Sequence, residues 1–346
     1  MSKAKRIFFL TDAKDFADKH LQYGHRKLFK GLIRLGHDTQ EFCYRRAFLQ
    51  AGPIMSRKFA RRFCKSHVVD KLLVKQIKNY NPDIVYITFA NYLNAETVKL
   101  MREASPKAFF IGSDGDLWPE HHKHRVEATK ELDLVISTYE GEALHAYRDA
   151  NVRCAFMPNC CDPDIEYRYE VPAKWKSEIL FTGQTRYTHK RYPTEDLRYN
   201  LLSRLAGMKN CALYGCFGRP KVEGIDYLYA ISGARIGLSI NAVNDVRLCH
   251  SSRLIHYLAC GTCVLAKRVP DLDLLFRDGV HLRCFDTAEE FFDLANWYLN
   301  HEDERIKIAN AGMQHTHAEF NCEKIAKYIL DLIETGTYNA PWTETL

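Results

Sequence analysis

The stretch that most restricts what this chain can fold into runs from Arg235 to Phe276. Ile236-Gly-Leu-Ser-Ile240 is a short apolar strand pattern, Arg253-Leu-Ile-His-Tyr-Leu-Ala259 has helical spacing, and Cys263-Val-Leu-Ala266 reads as a second buried strand. Ser251-Ser252 supply an N-cap, and Gly261 suits the position after the helix that favours positive φ. A helix that starts just beyond the carboxyl end of a parallel strand points its free N–H groups into a cleft, which makes an anion seat. Arg253 in the first turn adds a full positive charge there. Ser251, Ser252 and Arg253 are therefore expected to hold a diphosphate.

Strands and helices alternate along the rest of the chain. The spacing predicts strands at Lys5–Asp12, Asp38–Tyr44, Pro82–Thr88, Lys107–Gly112, Leu132–Ser137 and Val152–Met157. Helices are expected at Tyr23–Leu35, Val68–Tyr80 (with Leu72, Leu73 and Ile77 inward), Asn94–Ala104 and Glu140–Ala150. Asp162–Trp175, with two prolines, reads as linker. Strands at Ser177–Thr182, Cys211–Tyr214 and Leu282–Phe285 and helices at Arg198–Met208, Tyr227–Ser232, Ala288–Asn300, Asp303–Glu319 and Cys322–Glu334 continue the alternation. The expected fold class is α/β: two doubly wound domains facing each other across a cleft. Their expected extents are 1–158 and 177–318, with a linker at 159–176 and a C-terminal segment at 319–346.

With 346 residues the chain is long enough for two cores. No apolar run approaches the ~20 residues that span a bilayer, and Ile7–Leu10 is too short for a signal-peptide core. A cytoplasmic protein, peripheral at most to a membrane, is expected. Twelve cysteines lack any framework spacing, so reduced thiols are expected. Cys260-Gly-Thr-Cys263 falls at a helix end running into a strand, whereas a redox pair needs a helix start. Net charge is +6, concentrated between Ser56 and Lys78. There Arg57, Lys58, Arg61, Arg62, Lys65, Lys71, Lys75 and Lys78 face Asp70 alone, which favours either an acidic partner or a solvated basic face.

The pattern Arg253-x-x-His256-x-Leu-Ala-Cys-Gly-Thr-x-Val-Leu265, followed by Pro270-Asp-Leu272 and Leu275-Phe-x-Asp-Gly279, resembles the donor half of GT-B glycosyltransferases. Within them it is most similar to family 4 and the spore-maturation CgeB-like group. The resemblance covers about Ile179 to Ala318 and is architectural before that. It implies transfer of a sugar from a nucleotide-diphosphate sugar to an acceptor hydroxyl, without metal or other cofactor. Two positions depart from it: His256 stands where relatives carry an acidic residue that binds the ribose, and Cys263 stands where a proline is common. His256 could accept one ribose hydrogen bond or be a packed histidine, and both readings stand. The resemblance places further donor contacts at Gly183, Arg186, Lys190 and Tyr214. Asn241 and Asn244, just past a strand, suit either donor contact or turn formation.

The base that activates the acceptor is expected among Asp114, Asp116 and Asp12, each at or just past a strand end. Asp114-Gly-Asp116 could also be read as a metal-binding D-x-D, but Asp162-Pro-Asp164 and Asp271-Leu-Asp273 have the same form, so no metal is expected. The basic residues Arg57, Lys58, Arg61 and Arg62 fall in the half that binds acceptor in the resembled fold. They suit a phospholipid, a lipopolysaccharide core or nucleic acid such as a modified DNA base. A non-catalytic nucleotide-sugar sensor and a sugar-nucleotide epimerase are the rival readings.

Overall fold

The computed structural model describes residues 3–11, 24–44, 46–47, 67–88, 93, 95–114, 123–184, 196–337 and 339–342. Asp12, Arg57, Lys58, Arg61, Arg62, Asp116, Arg186 and Lys190 lie outside the described residues.

The first half contains β1 (Arg6–Thr11), α1 (Gly24–Arg34), β2 (Asp38–Cys43), α2 (His67–Tyr80), β3 (Ile84–Ile87), α3 (Ala95–Ala104) and β4 (Phe109–Asp114). α4 (Lys123–Thr129), β5 (Leu134–Ser137), a 3-10 turn at Gly141–Leu144, α5 (His145–Arg148) and β6 (Cys154–Phe156) complete it. Its six strands are parallel, in the order β2-β1-β3-β4-β5-β6. β3 and β5 are buried at every position, because helices cover both faces of a parallel sheet.

The second half runs β7 (Ser177–Thr182), α6 (Asp196–Ala206), β8 (Cys211–Tyr214), α7 (Gly224–Gly233), β9 (Ala234–Ser239), α8 (Ser252–Ala259), β10 (Cys263–Lys267) and β11 (Arg283–Phe285). The helices α9 (Ala288–Asn300), α10 (Glu302–Glu319) and α11 (Cys322–Thr335) follow. This sheet is also parallel, in the order β8-β7-β9-β10-β11. Both sheets thus start on an inner strand, add the second strand on one side and the rest on the other. Each has one switch point, between β1 and β3 and between β7 and β9, where a crevice opens at the carboxyl ends of the strands.

Two local expectations differ from the structure. Leu72 is 41% exposed while Val69, Leu73 and Ile77 are buried. Residues four apart share a helix face, and Leu72 sits about 100° round from Leu73. The single helix expected at Glu140–Ala150 is a 3-10 turn followed by one α turn. α4 was not picked out from the sequence.

The halves are joined through α11, which packs on α1. Its Tyr328 hydroxyl donates to the Phe156 carbonyl at 2.8 Å. The connecting segment is pinned by ion pairs. Lys30 reaches both Asp162 (2.6 Å) and Asp164 (2.7 Å), and Arg34 pairs with Asp164 and Glu323. The Asp162-Pro-Asp164 doublet therefore serves chain geometry. No helix among the described residues is long and apolar enough to cross a membrane.

Candidate functional site

The switch point of the second sheet holds two buried arginines. Arg253, in the first turn of α8, donates from Nη1 to the Thr182 carbonyl (2.8 Å) at the end of β7 and from Nη2 to the Ile240 carbonyl (2.5 Å) just past β9. Arg198 reaches the same place from α6, donating to the Ile240 carbonyl (2.9 Å) and the Gln184 carbonyl (2.7 Å). Both guanidiniums lie against the Phe181 ring, at 4.7 and 5.3 Å from its centre. Neither is paired with a carboxylate among the described residues, and the Nε of each has no hydrogen-bond partner. Burial pushes both guanidiniums down, and the neighbouring charge of Arg253 helps push Arg198 to about 9. Two positive charges, 9% and 7% exposed, are thus held together without an opposite charge among the described residues. A buried ion left unpaired costs several kcal/mol, so this pocket is electrostatically incomplete until an anion enters.

Arg198 was not singled out from the sequence, although a signal was present. It lies at i, i+3, i+4 and i+7 spacing with Leu201, Leu202 and Leu205, all buried. A charge on the apolar stripe of a helix is there for a partner on the inside.

The other expected donor residues are arranged around these two. Gly183 follows β7 with φ +146°, and a Cβ there would lie 2.9 Å from Arg253 Nη1. Only glycine lets the guanidinium approach. Its N–H donates to the Tyr214 carbonyl at 2.9 Å, which sets the Tyr214-Gly215 turn beside the crevice. Gly237 in β9 admits the Tyr257 ring, 2.5 Å from where a Cβ would stand. The Tyr257 hydroxyl in turn accepts from the Thr182 N–H at 2.9 Å. Asn241 and Asn244 bond each other and the loop: Asn241 Nδ2 donates to the Cys249 carbonyl, and Asn241 Oδ1 accepts from the Ser251 N–H. Their observed work is to shape the turn that leads into α8. Ser251 is the N-cap residue, but its hydroxyl makes no capping bond and is buried without a partner. Ser252 is exposed.

His256 does not lie on the open crevice. It is 3% exposed; its Nδ1 is 3.1 Å from the Tyr227 hydroxyl and its Nε2 is 3.4 Å from Glu166 Oε1. Glu166 also takes Lys27 of α1 at 2.5 Å. Burial, then the charges of Lys27 and Arg253, hold His256 well below its ordinary pKa, so it is neutral. The Lys27 ammonium is held above its ordinary value: burial works against it, and Glu166 outweighs that. Lys27, Glu166, His256 and Tyr227 form one buried polar chain that links the first half, the connecting segment and the second half.

In the first half, Asp114 ends β4, is 5% exposed and accepts a hydrogen bond from the Tyr147 hydroxyl. A cavity of about 150 Å³ opens between the start of α1 and the carboxyl ends of β3 to β6, lined by Gly24, Tyr86, Thr88, Ser113, Met157 and Asn159 among others. Asn159 donates from its backbone N–H to His250 Nε2 (3.2 Å), tying this rim to the loop before α8. Lys71, Lys75 and Lys78 are all exposed on the outer stripe of α2. Among the described residues no three His, Cys, Asp or Glu side chains come together as a metal site. Cys260 and Cys263 are buried and their thiols pushed up, Cys263 to about 12, which is opposite to what a redox pair requires.

Residues 191–331 match the family model described as glycosyl transferase-like. No curated protein matches the chain. Its overall structure is similar to a glycosyltransferase from Rickettsia africae, with 14% identity and a TM-score of 0.62, over 95% of this chain and 98% of that one. It is equally similar, at 11% identity and a TM-score of 0.62, to an alpha-glucosyltransferase in complex with UDP and a 13-mer DNA containing a HMU base, over 96% of this chain and all of that one. A UDP-N-acetylglucosamine 2-epimerase-like protein from Listeria monocytogenes aligns over 96% of this chain and 97% of its own, with 12% identity and a TM-score of 0.53. The chain has the GT-B fold.

Proposed function

We propose that this protein is a glycosyltransferase whose donor is a nucleotide-diphosphate sugar. The observation that carries the reading is the pair of buried guanidiniums, Arg198 and Arg253, with no carboxylate beside them among the described residues at the β7/β9 switch point. When the glycosidic bond to the donor breaks, the departing diphosphate gains negative charge. Fixed positive groups in a water-poor crevice stabilise that charge without reorganising. Arg186 and Lys190 are proposed to add to it from the segment that follows Gln184. The glycosyl transferase-like match and the UDP in the complex of the alpha-glucosyltransferase neighbour both support this reading.

The ribose carboxylate contact implied by the family is proposed to be absent, because His256 is turned inward to Tyr227 and Glu166. Asp114 is the proposed base on the acceptor hydroxyl. Its bond from Tyr147 would hold the carboxylate in place at the carboxyl end of β4. The acceptor is proposed to be anionic, on the charge of the 57–78 segment and the exposed lysine stripe of α2. Duplex DNA binding that weakens steeply with salt would support nucleic acid, and sedimentation with anionic vesicles would support lipid.

The epimerase neighbour shares the fold, so a direct assay separates the two reactions. Purified protein with a panel of UDP-sugars should show slow donor hydrolysis to UDP, as transfer to water. Interconversion of the sugar without UDP release would replace the transferase reading with the epimerase one. Binding with neither reaction would leave the sensor.

A further inference from the structure

A groove in the second half lies at the opposite end of its sheet from the arginine crevice, at the amino ends of β7, β8 and β9. It encloses about 890 Å³, within the range of small-molecule sites. Its lining includes Arg168, Lys176, Lys209, Arg235 and Arg305, set against Glu170, Glu178 and Glu302.

The arginines are not neutralised one by one. Arg305 is 4% exposed and comes from α10; Arg235 comes from the start of β9 and Arg168 from the connecting segment. Glu302 bridges two of them, at 3.0 Å from Arg305 and 3.7 Å from Arg235. Arg235 otherwise donates to the Leu299 carbonyl (2.8 Å) and Arg168 to the Gly261 carbonyl (3.2 Å). Arg305 Nε and the Ser177 hydroxyl are buried in the wall without hydrogen-bond partners. The three guanidiniums are close enough for Arg235 and Arg168 to press the Arg305 pKa down, in the same direction as its burial. Glu178 is engaged with Asn210 at 3.0 Å. Three guanidiniums, two of which share one carboxylate, leave positive charge and unused donors. That arrangement matches the several oxygens of a phosphate better than it matches a single carboxylate.

We propose that this groove is a second anion site, separate from the donor crevice, which takes a phosphomonoester such as a sugar phosphate. Arg168 places it in mechanical contact with the first site: its Gly261 partner caps the far end of α8, whose first turn carries Arg253.

The test uses the full chain and two probes, inorganic phosphate and glucose 6-phosphate, read by thermal stabilisation and calorimetry. R235E and K209E alter the groove, whereas R198M alters the crevice. Saturable binding of either probe in the wild type and in R198M, weakened at least tenfold in R235E and K209E, is the expected result. A response to free phosphate alone would assign the site to the inorganic ion, and a much stronger response to the sugar phosphate would assign it to the ester. The proposal is overturned if neither probe binds saturably, or if R198M abolishes binding while R235E and K209E leave it unchanged. Because R198M is the arm that tests the crevice, failure of the donor reading and failure of this one give different patterns. Normal melting of R235E and K209E without ligand would show that they fold.

Discussion

Replacing Arg198 with methionine separates two roles that most substitutions would confuse. Its guanidinium sits beside Arg253 with its pKa pushed down to about 9. A shift of that size corresponds to a penalty of roughly 5 kcal/mol on the charged form, from burial first and then from the neighbouring charge of Arg253. For a base the sign is clear: below about 9 the side chain is charged in both folded and unfolded chains, so the full penalty is present at neutral pH. Methionine removes the penalty. It also removes two charge-assisted bonds to backbone carbonyls, each worth about 1.5–3 kcal/mol, and a contact with Phe181 worth about 0.5–2 kcal/mol. The gains and losses nearly cancel, so R198M should melt within about 2 kcal/mol of the wild type. Affinity for the diphosphate should fall far more, because truncating one member of a buried charge contact costs about 2–5 kcal/mol, or 30-fold and upward. UDP titrated by calorimetry into both proteins, with a urea melt of each, measures the two quantities separately. If R198M melts normally and binds UDP as tightly as the wild type, the unpaired arginines are not the diphosphate seat.

Four further outcomes are expected. G183A should weaken UDP binding at least tenfold, since its Cβ would press on Arg253 Nη1 at 2.9 Å in a backbone conformation that alanine disfavours; unaltered affinity would count against the close approach. K27M should lose about 3–5 kcal/mol of stability in a denaturant melt, because it leaves the Glu166 carboxylate buried without its cation. H256E, which restores the residue type of the resembled family, should destabilise by a similar amount by setting a second buried acid beside Glu166, and E166Q should recover much of the loss; a fully stable H256E would mean that this side chain can turn to the crevice. Stability should also fall as pH drops below about 6.5. Burial holds His250 at about 4, so the unfolded chain takes up a proton that the folded one refuses, costing about 3 kcal/mol by pH 4. H250Q should flatten that part of the pH profile.

Much of the fold was legible because its signals are local. Runs such as Ile84–Ile87 and Leu134–Ile136 are apolar throughout, as a strand covered on both faces tends to be, and the strands at Ser177–Thr182 and Cys211–Tyr214 match their expected limits. The alternation of those strands with amphipathic helices was enough to imply two parallel sheets. Arg253 was legible as a charge at a helix start, and the structure places it at the switch point.

What the sequence could not show is where each polar side chain finds its partners, since these come from far along the chain. His256 shares a helix face with Arg253, yet three residues of helix carry it from the strand ends into the packed interior. There its neighbours are Glu166 and, through it, Lys27. Arg198 and Arg253 start on different helices and meet at one carbonyl, that of Ile240. Local periodicity determines which face of a helix is inward, but only the assembled halves decide whether that inward face meets oil, a carboxylate or an empty crevice. The same residue types become a buried polar link between the halves in one place and an unpaired pair of charges in the other, because desolvation and charge pairing are properties of the packed structure.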